Sequence, residues 1–177
     1  MKAMADIRRA QINELERVKA FYDMVIDAME GAQYAPAWQK DVYPSKEDLS
    51  GAIACGELYI GERDGDIVSA MVVNRKYNEG YNAAPWRVDA GPDEVTVVHM
   101  LCTHPGYARQ GLGRELVAEA MSIARKRGDR VMRLDVLSGN LPAGKLYMGM
   151  GFEYIKTVNM FYEDTGWVDF ELYEYVL

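Results

Sequence analysis

The sequence predicts an α+β fold in α/β/α layers, built on a mixed, mostly antiparallel sheet of about seven strands with helices on both faces. Short β-rich segments and longer segments of helical period share the chain. A hairpin signal joins two of the strands, and two of the helices directly follow strands. The 177 residues contain no linker, repeat or low-complexity tract, so we expect a single domain over 1–177.

In the first half of the chain the patterns predict three strands and two helices. Ser45 can cap the second helix because Asp48 follows three residues later, a variant of the capping box. The compact turn Asp64-Gly65-Asp66 joins two strands into a hairpin. The predicted elements are a strand over 5–10, helices over 13–29 and 45–56, strands over 57–63 and 67–74, and a polar loop over 76–92.

The second half begins with an apolar, β-branched segment that suits an interior strand covered on both faces. The next helix has an apolar stripe at spacings of three and four, a basic end at 125–127 and a stop at Gly128. The predicted elements are strands over 95–104, 131–136, 154–162 and 167–176, and helices over 112–127 and 142–150.

Charge and hydropathy limit the partners of the protein. The formal charge is −7 and no basic block exceeds residues 125–127, so nucleic acid is not expected as a partner. The apolar runs are of strand length, and Asp6, Arg8 and Arg9 lie where a secretory signal would need an apolar core. We therefore expect no membrane partner and a cytoplasmic location. A homodimer is left open.

The cysteines and histidines predict no metal site. Cys55 and Cys102 are far apart in apolar segments, so we expect reduced, buried thiols and no disulfide. With two histidines and no cysteine pair, a metal has no evident set of ligands.

The most informative segment is the Gly-rich turn Pro105-Gly106-Tyr107-Ala108-Arg109-Gln110-Gly111-Leu112-Gly113, between a predicted strand and a predicted helix. Such a turn directs unpaired backbone N–H groups and the positive end of the helix dipole at one point, which favours phosphate. A dinucleotide fingerprint is disfavoured because Leu116 replaces its third Gly. An ordinary turn without a ligand stays open.

A second phosphate-like segment runs from Gly139 to Lys145 and nearly matches a P-loop. Leu146 replaces the hydroxyl residue that would hold Mg²⁺, and Pro142 removes an amide from the cradle. Nucleotide binding at this segment is therefore disfavoured.

The chain resembles the GCN5-related N-acetyltransferase (GNAT) family. The signature of that family is Q/R-x-x-G-x-G/A at a strand-to-helix turn, followed about thirty residues later by an Asn-led segment that ends in a Tyr and a Gly-Phe pair. The leading position is Ala108 here, with the basic side chain at Arg109. The matching residues are Arg109, Gln110, Gly111, Leu112 and Gly113 in the first half, and Asn140, Ala143, Leu146, Tyr147, Gly151 and Phe152 in the second.

The resemblance implies that the chain binds acetyl-CoA as acyl donor, without a metal. Backbone amides of the turn would bind the pyrophosphate, and main-chain groups of the preceding strand would contact the oxyanion and the pantetheine. The expected cofactor-binding residues are Leu101, Cys102, Thr103, Arg109, Gln110, Gly111, Leu112, Gly113, Arg114, Asn140 and Ala143.

Two residues are candidates for proton transfer. Tyr147 occupies the place where family members use a Tyr to protonate the departing thiolate, although packing alone could also explain a Tyr there. His99 lies where relatives have a Glu, and strict alternation would put its side chain on the face of Val97, Leu101 and Thr103. A base or a core histidine are both open for it.

The acceptor is expected in the aromatic-rich segment 33–43, because in the family this region lines the acceptor site. Tyr34, Trp38 and Tyr43 could form a wall for a small amine or could cover the core. We therefore expect an acyl-CoA-dependent N-acyltransferase that acts on a small-molecule, peptide or protein amine by direct attack in a ternary complex. A non-catalytic acyl-CoA sensor or interaction module is the alternative. The acidic charge favours cationic acceptors but cannot choose among them.

Overall fold

In the computed structural model, which describes residues 3–177, a seven-stranded sheet has the order β1-β2-β3-β4-β5-β7-β6. Among the strands of residues 3–177, only β4 and β5 pair in parallel, and every other neighbouring pair is antiparallel. The α+β prediction is therefore confirmed. The strands are β1 (Asp6–Arg9), β2 (Leu58–Arg63), β3 (Asp66–Asn74), β4 (Val95–Thr103), β5 (Val131–Leu137), β6 (Glu153–Tyr162) and β7 (Gly166–Val176), and the α-helices are α1 (Leu15–Met29), α2 (Lys46–Ala54), α3 (Leu112–Arg127) and α4 (Leu141–Gly149).

Helices cover both faces of the sheet. Alternate residues of β2 show the division, since Leu58 and Ile60 pack with α1 and α2 whereas Tyr59 packs with α3. Ser45 caps α2 through the predicted box: its Oγ accepts from the Asp48 amide at 3.1 Å, and the Asp48 carboxylate accepts from the Ser45 amide at 2.8 Å.

Two local predictions need correction. The hairpin turn contains only Asp64 and Gly65, at φ of 52° and 85°, because Asp66 already belongs to β3. Two residues with positive φ match the twist of the flanking strands. Cys55 ends α2 on the surface and is exposed, whereas Cys102 is buried as predicted.

The predicted loop 76–92 is ordered by its contacts with the sheet. It contains a 3₁₀ helix, Glu79–Ala83, and Tyr81 packs under β4, β5 and β7. The carboxylate of Glu174 accepts from the amides of Arg87 and Val88 at 2.9 and 3.3 Å, and it pairs with Arg133 at 2.8 Å. The backbone amides of Arg87 and Val88 are satisfied by a side-chain acceptor from the sheet and not by the regular pairing of a strand or a helix. This polar segment therefore shows no helical or strand period in the sequence.

The alternation of β4 is interrupted at Met100. His99 opposes Val72 and Cys102 opposes Ala70 in β3, so β4 has an extra residue between these positions, and Met100 has a φ of 54°. The bulge turns Leu101 towards the core under α3, whereas Val97 packs on the opposite side of the sheet. The prediction that His99 shares one face with both Val97 and Leu101 is therefore wrong.

β4 and β5 separate soon after they meet. Their pairing covers Val95↔Val131 to Val97↔Arg133 and then stops. Beyond this point the edge of β4 that faces β5 has no strand partner, and the two strands diverge towards their carboxyl ends. None of the helices within residues 3–177 is long and apolar enough to cross a membrane; the cytoplasmic location stays a prediction.

The Arg133–Glu174 pair gives a prediction about stability. Glu174→Ala leaves the Arg133 guanidinium unpaired in a site where the two side chains are 7% and 0% exposed. We expect a loss of about 3–5 kcal/mol in the free energy of unfolding, the usual cost of breaking a buried pair. Urea denaturation measures it.

The matched control is Glu153→Ala. Glu153 lies opposite Glu174 in the β6–β7 register and pairs with Arg87, but its side chain is 58% exposed. Its loss should be about 1 kcal/mol or less. Equal losses in the two variants would contradict the assignment of Glu174 as the anchor.

Candidate active site

A cavity of about 400 Å³ lies where β4 and β5 have separated. Residues 98–103 of β4 and 135–137 of β5 form two of its walls. Gly113 and the first turns of α4 close one end, and residues of the segment 34–43 close the other. The cavity therefore connects the Gly-rich turn with the aromatic segment predicted to bind the acceptor.

The Gly-rich turn presents a run of free backbone donors. Within the described chain, the amides of residues 109–114 form no backbone hydrogen bond, and the first paired amide of α3 is that of Glu115, which donates to Gly111 at 3.0 Å. Consecutive free amides at the start of a helix are an anion-binding site, to which the helix dipole adds positive potential. This geometry suits a pyrophosphate.

Side-chain contacts hold the turn in place. Gln110 accepts a hydrogen bond from Arg63 at 3.0 Å, and Arg63 pairs with Glu115 at 3.1 Å. The Arg114 guanidinium donates to the carbonyl of Gly149 at the end of α4, at 3.3 Å, whereas Arg109 is exposed. Gln110 and Arg114 thus offer a ligand their amides and engage their side chains within the protein.

Gly111 and Gly113, at the start of α3, are each required for a different structural reason. Gly111 has a φ of 84°, with open space where a Cβ would stand. A Cβ on Gly113 would lie 3.0 Å from Leu146, so Gly113 allows α3 to approach α4 closely. Leu112 between them is buried with Val68 and contributes to the core.

The remaining predicted cofactor residues line the cavity. Leu101, Cys102 and Thr103 follow the bulge on the unpaired edge of β4. Burial raises the pKa of the Cys102 thiol, which keeps it protonated. Asn140 caps α4 by accepting from the amide of Ala143 at 3.4 Å, and both residues line the same cavity.

Tyr147 lies at the wall of the cavity with its ring packed in the core. The ring is 5.6 Å from that of Phe152 and 6.5 Å from that of Tyr173, measured between centroids. Its hydroxyl has no hydrogen-bond partner among residues 3–177, whereas that of Tyr173 donates to Glu171 at 2.7 Å. Burial, reinforced by the charge of Asp135, raises the pKa of Tyr147, so the hydroxyl keeps its proton at neutral pH.

His99 also lines the cavity, and its tautomer follows from its contacts. Nε2 lies 2.9 Å from Oδ1 of Asn74 and 2.9 Å from the carbonyl of Lys76, which are both acceptors. Nε2 therefore carries the hydrogen, and Nδ1 is the acceptor. Burial lowers the pKa of His99, with Asp135 acting in the opposite sense, so the ring is neutral at pH 7.

The aromatic segment forms the far wall. Trp38 packs on Tyr22 at 6.0 Å between centroids, and Tyr34 is 39% exposed. The backbone amide of Tyr43 donates a hydrogen bond to the carbonyl of Gln39. The side-chain amide of Gln39 donates to the carbonyl of Asp164, in the β6–β7 turn, at 3.4 Å. Tyr34, Trp38 and Tyr43 all line the cavity, so the structure brings them together with Tyr147 and His99.

Sequence reasoning missed the carboxylate of this site. Asp135 lines the cavity and its Oδ2 accepts from the hydroxyls of Tyr81 and Tyr162, at 2.8 and 2.7 Å. The signal in the sequence was a polar residue at alternate positions of an otherwise apolar strand, since Arg133 and Asp135 lie on the side of β5 opposite Met132 and Leu134. Asp164 and Thr165 were also missed at the rim.

Comparison with solved structures shows the same fold. An acetyltransferase of the GNAT family from Streptococcus agalactiae matches with a TM-score of 0.79 and 19% identity, over 97% of this chain and 95% of that one. The structure of yncA from Salmonella typhimurium with its cofactor acetyl-CoA matches with a TM-score of 0.70 and 18% identity, over 99% and 95%.

Curated relatives match over shorter stretches. The ribosomal protein bS18-alanine N-acetyltransferase of Escherichia coli is 34% identical over 73 residues, 41% of this chain and 49% of that protein. Streptothricin acetyltransferase of Streptomyces lavendulae is 36% identical over 62 residues, 35% and 33% of the two chains. The chain thus spans about half the length, or less, of these relatives.

A family model described as the acetyltransferase (GNAT) family matches residues 19–152, which include the Gly-rich turn, His99 and Tyr147. Because this match covers most of the chain and agrees with the fold and the resemblance, the chain belongs to the GNAT family of acetyltransferases.

Proposed function

We propose that the protein transfers the acetyl group of acetyl-CoA to a primary amine, by direct attack within a ternary complex. The observation that carries the proposal is one cavity that extends from Gly113, within the run of free amides, to Tyr147, His99 and the aromatic wall. Donor and acceptor can enter it from opposite ends and meet where β4 and β5 separate.

The chain offers a place for the pyrophosphate and for the pantetheine arm of the donor. The amides of residues 109–114 would bind the pyrophosphate, and Arg109 would add an exposed positive charge. The unpaired edge of β4 would bind the pantetheine arm and bring the thioester carbonyl towards residues 101–103. Asn140 and Ala143 would line the other side of this path.

The chemistry requires a neutral amine, a polarised carbonyl and a proton for sulfur. The amine nitrogen attacks the carbonyl carbon and its excess proton passes to Nδ1 of His99, directly or through a water. The C–S bond breaks and the thiolate sulfur takes the proton of the Tyr147 hydroxyl. Solvent then returns a proton to the Tyr147 oxygen and removes one from His99, so the products are an amide and the free thiol of CoA.

The relatives are named for different acceptors, so the acceptor of this protein has to be inferred from the site. One acts on the alanine of a ribosomal protein and another on streptothricin. A protein terminus and a small molecule are different acceptors, and each match covers less than half of this chain. The alternative of a non-catalytic acyl-CoA sensor predicts CoA binding without thiol release for any amine, which a broad amine screen with a thiol reagent decides.

Gly111→Val tests the pyrophosphate site. Val at a φ of 84° would distort the turn and bring a side chain to the free amides. We expect CoA to bind about 100-fold more weakly, because the loss of one or two charge-assisted hydrogen bonds costs about 1.5–3 kcal/mol each. Isothermal titration measures the affinity.

Gly65→Val is the matched control. Gly65 has a φ of 85° and equally open surroundings, but it lies in the β2–β3 hairpin turn and outside the cavity. It should lose comparable stability and keep its affinity for CoA. Unchanged CoA affinity in Gly111→Val would overturn the pyrophosphate assignment.

Tyr147→Phe tests the proton donor. The substitution keeps the packed ring and removes the hydroxyl, so kcat should fall by about 10²- to 10⁴-fold, the range for a positioned general acid. The affinity for acetyl-CoA should change little, because the hydroxyl acts as negative charge gathers on sulfur. Tyr173→Phe, which removes the neighbouring hydroxyl bonded to Glu171, should keep its rate. A normal kcat in Tyr147→Phe would reduce that residue to packing.

His99→Gln tests the base. Rates are expressed per concentration of neutral amine, so that the titration of the acceptor cancels. Because burial lowers the pKa of His99, the wild-type acidic limb of kcat/KM should lie below about pH 6.5 and disappear in the variant. His104→Gln, at the start of the Gly-rich turn, should keep the limb. If the limb persists without His99, another group accepts the proton.

A further inference from the structure

Asp135 has one bonded and one free oxygen. Oδ2 accepts both tyrosine hydroxyls, from Tyr81 at 2.8 Å and Tyr162 at 2.7 Å. Oδ1 accepts no hydrogen bond from any residue between 3 and 177, and Asp135 belongs to the cavity wall. The two hydroxyls fix the orientation of the carboxylate and leave half of its hydrogen-bonding capacity for a ligand.

The carboxylate also has no cation of its own. Arg133, two residues earlier on the same strand, is paired with Glu174 at 2.8 Å and donates to the carbonyl of Val88 at 2.7 Å. Over the described part of the chain, no Lys or Arg lies within 4.0 Å of the Asp135 carboxylate, and none lines the cavity. Within the described residues this half-buried carboxylate therefore has two tyrosine hydroxyls as partners and no ion pair, so its charge is available to a cation brought by a ligand.

The surroundings suit an organic cation. Tyr43 and Tyr162 line the cavity on the side of Asp135, and Tyr34 and Trp38 continue the aromatic wall. Aromatic faces attract ammonium and guanidinium groups. Asp164 adds a second carboxylate at the rim, so the acceptor end combines two carboxylates with aromatic rings and no Lys or Arg of the described chain lines it.

We propose that Asp135 binds a second, positively charged group of the acceptor while the amine to be acetylated faces the thioester. The acceptor class is therefore small amines with a distal cation, such as α,ω-diamines and guanidinium amines. This inference rests on the proposed acetyl transfer and adds the substrate class to it.

The charge of Asp135 affects the pKa of both residues proposed to transfer protons. Besides burial, it raises the pKa of Tyr147 and opposes the lowering of the pKa of His99. A cation bound to Oδ1 would offset this charge and make the Tyr147 hydroxyl a stronger acid when the correct acceptor is in place. The same cation would lower the pKa of His99 further and weaken the base, so its effects on the acid and the base oppose each other and we expect the preference for a distal cation mainly in KM.

The first experiment compares three acceptors of the same length. Pentylamine, 1,4-diaminobutane and 4-aminobutanoate share a primary amine and differ at the far end, which is neutral, cationic or anionic. Diamines of three to six carbons and a guanidinium amine extend the series, so that spacing does not decide the outcome. We expect kcat/KM for the best dication to exceed that for pentylamine by about 10- to 100-fold, about 1.4–2.7 kcal/mol, with the anion slowest.

The second experiment repeats the comparison in Asp135→Asn. The amide oxygen can still accept the tyrosine hydroxyls, but the charge is gone. The ratio of kcat/KM between dication and pentylamine should fall to near one. Asp169→Asn is the control, because Asp169 is an exposed carboxylate on the same sheet that is bonded to Asn159 outside the cavity. It should keep the ratio.

Three results would overturn the inference. Wild-type protein could accept pentylamine as well as the best dication, Asp135→Asn could keep the preference, or the variant could lose both acceptors equally, which would indicate a general base or a structural role. A binding measurement separates these from failure of the proposed function. Titration of the diamines into the CoA complex should show binding that Asp135→Asn weakens about 10-fold or more; absence of binding overturns the inference, while absence of thiol release with every amine overturns the acetyl transfer.

Discussion

The separation of β4 and β5 is the constraint on which the site depends. Parallel pairing ends at Val97↔Arg133, and from there the sheet is open. The opening exposes main-chain groups of β4 to a ligand and gives Tyr147 of α4 and Asp135 of β5 access to one cavity. Closed strands would satisfy the same backbone groups with each other and leave no room for a thioester.

The two ends of the cavity have opposite electrostatic character. The turn before α3 directs free amides and the positive end of a helix dipole outwards, which suits a polyanionic donor. The other end has the carboxylates of Asp135 and Asp164 among aromatic rings. Acetyl-CoA, which is negatively charged, and the positively charged acceptor proposed above would thus each be attracted to their own end and repelled from the other.

The sequence predicted the elements around the Gly-rich turn well and the polar contacts at the aromatic end poorly. The Gly-rich turn, Asn140 and Tyr147 are close in sequence to the strands and helices that hold them, so their spacing was informative. The hydroxyl of Tyr81 reaches Asp135, which lies 54 residues later in the chain, because Glu174 binds the backbone of the segment 76–92 to the sheet. Such contacts depend on tertiary packing and leave no local period. The face of Leu101 was mispredicted because one bulge residue, Met100, shifts every later side chain of β4.

The bulge also gives the parts of β4 before and after Met100 different environments. Before it, strand pairing holds His99 opposite Val72, and the hydrogen of Nε2 is directed to Asn74, whose amide in turn donates to Glu57 at 3.1 Å. This series of hydrogen bonds fixes the orientation and the tautomer of the His99 ring from the paired side of β4. The negative charge of Glu57 favours the imidazolium that would form if His99 took up a proton. After the bulge, the strand offers backbone to the opening and its side chains pack on both sides. Met100 itself is held there by Tyr22, which donates to its carbonyl at 2.9 Å. A histidine ring held by hydrogen bonds and an unpaired backbone edge thus lie within a few residues of one strand because the extra residue separates the two environments.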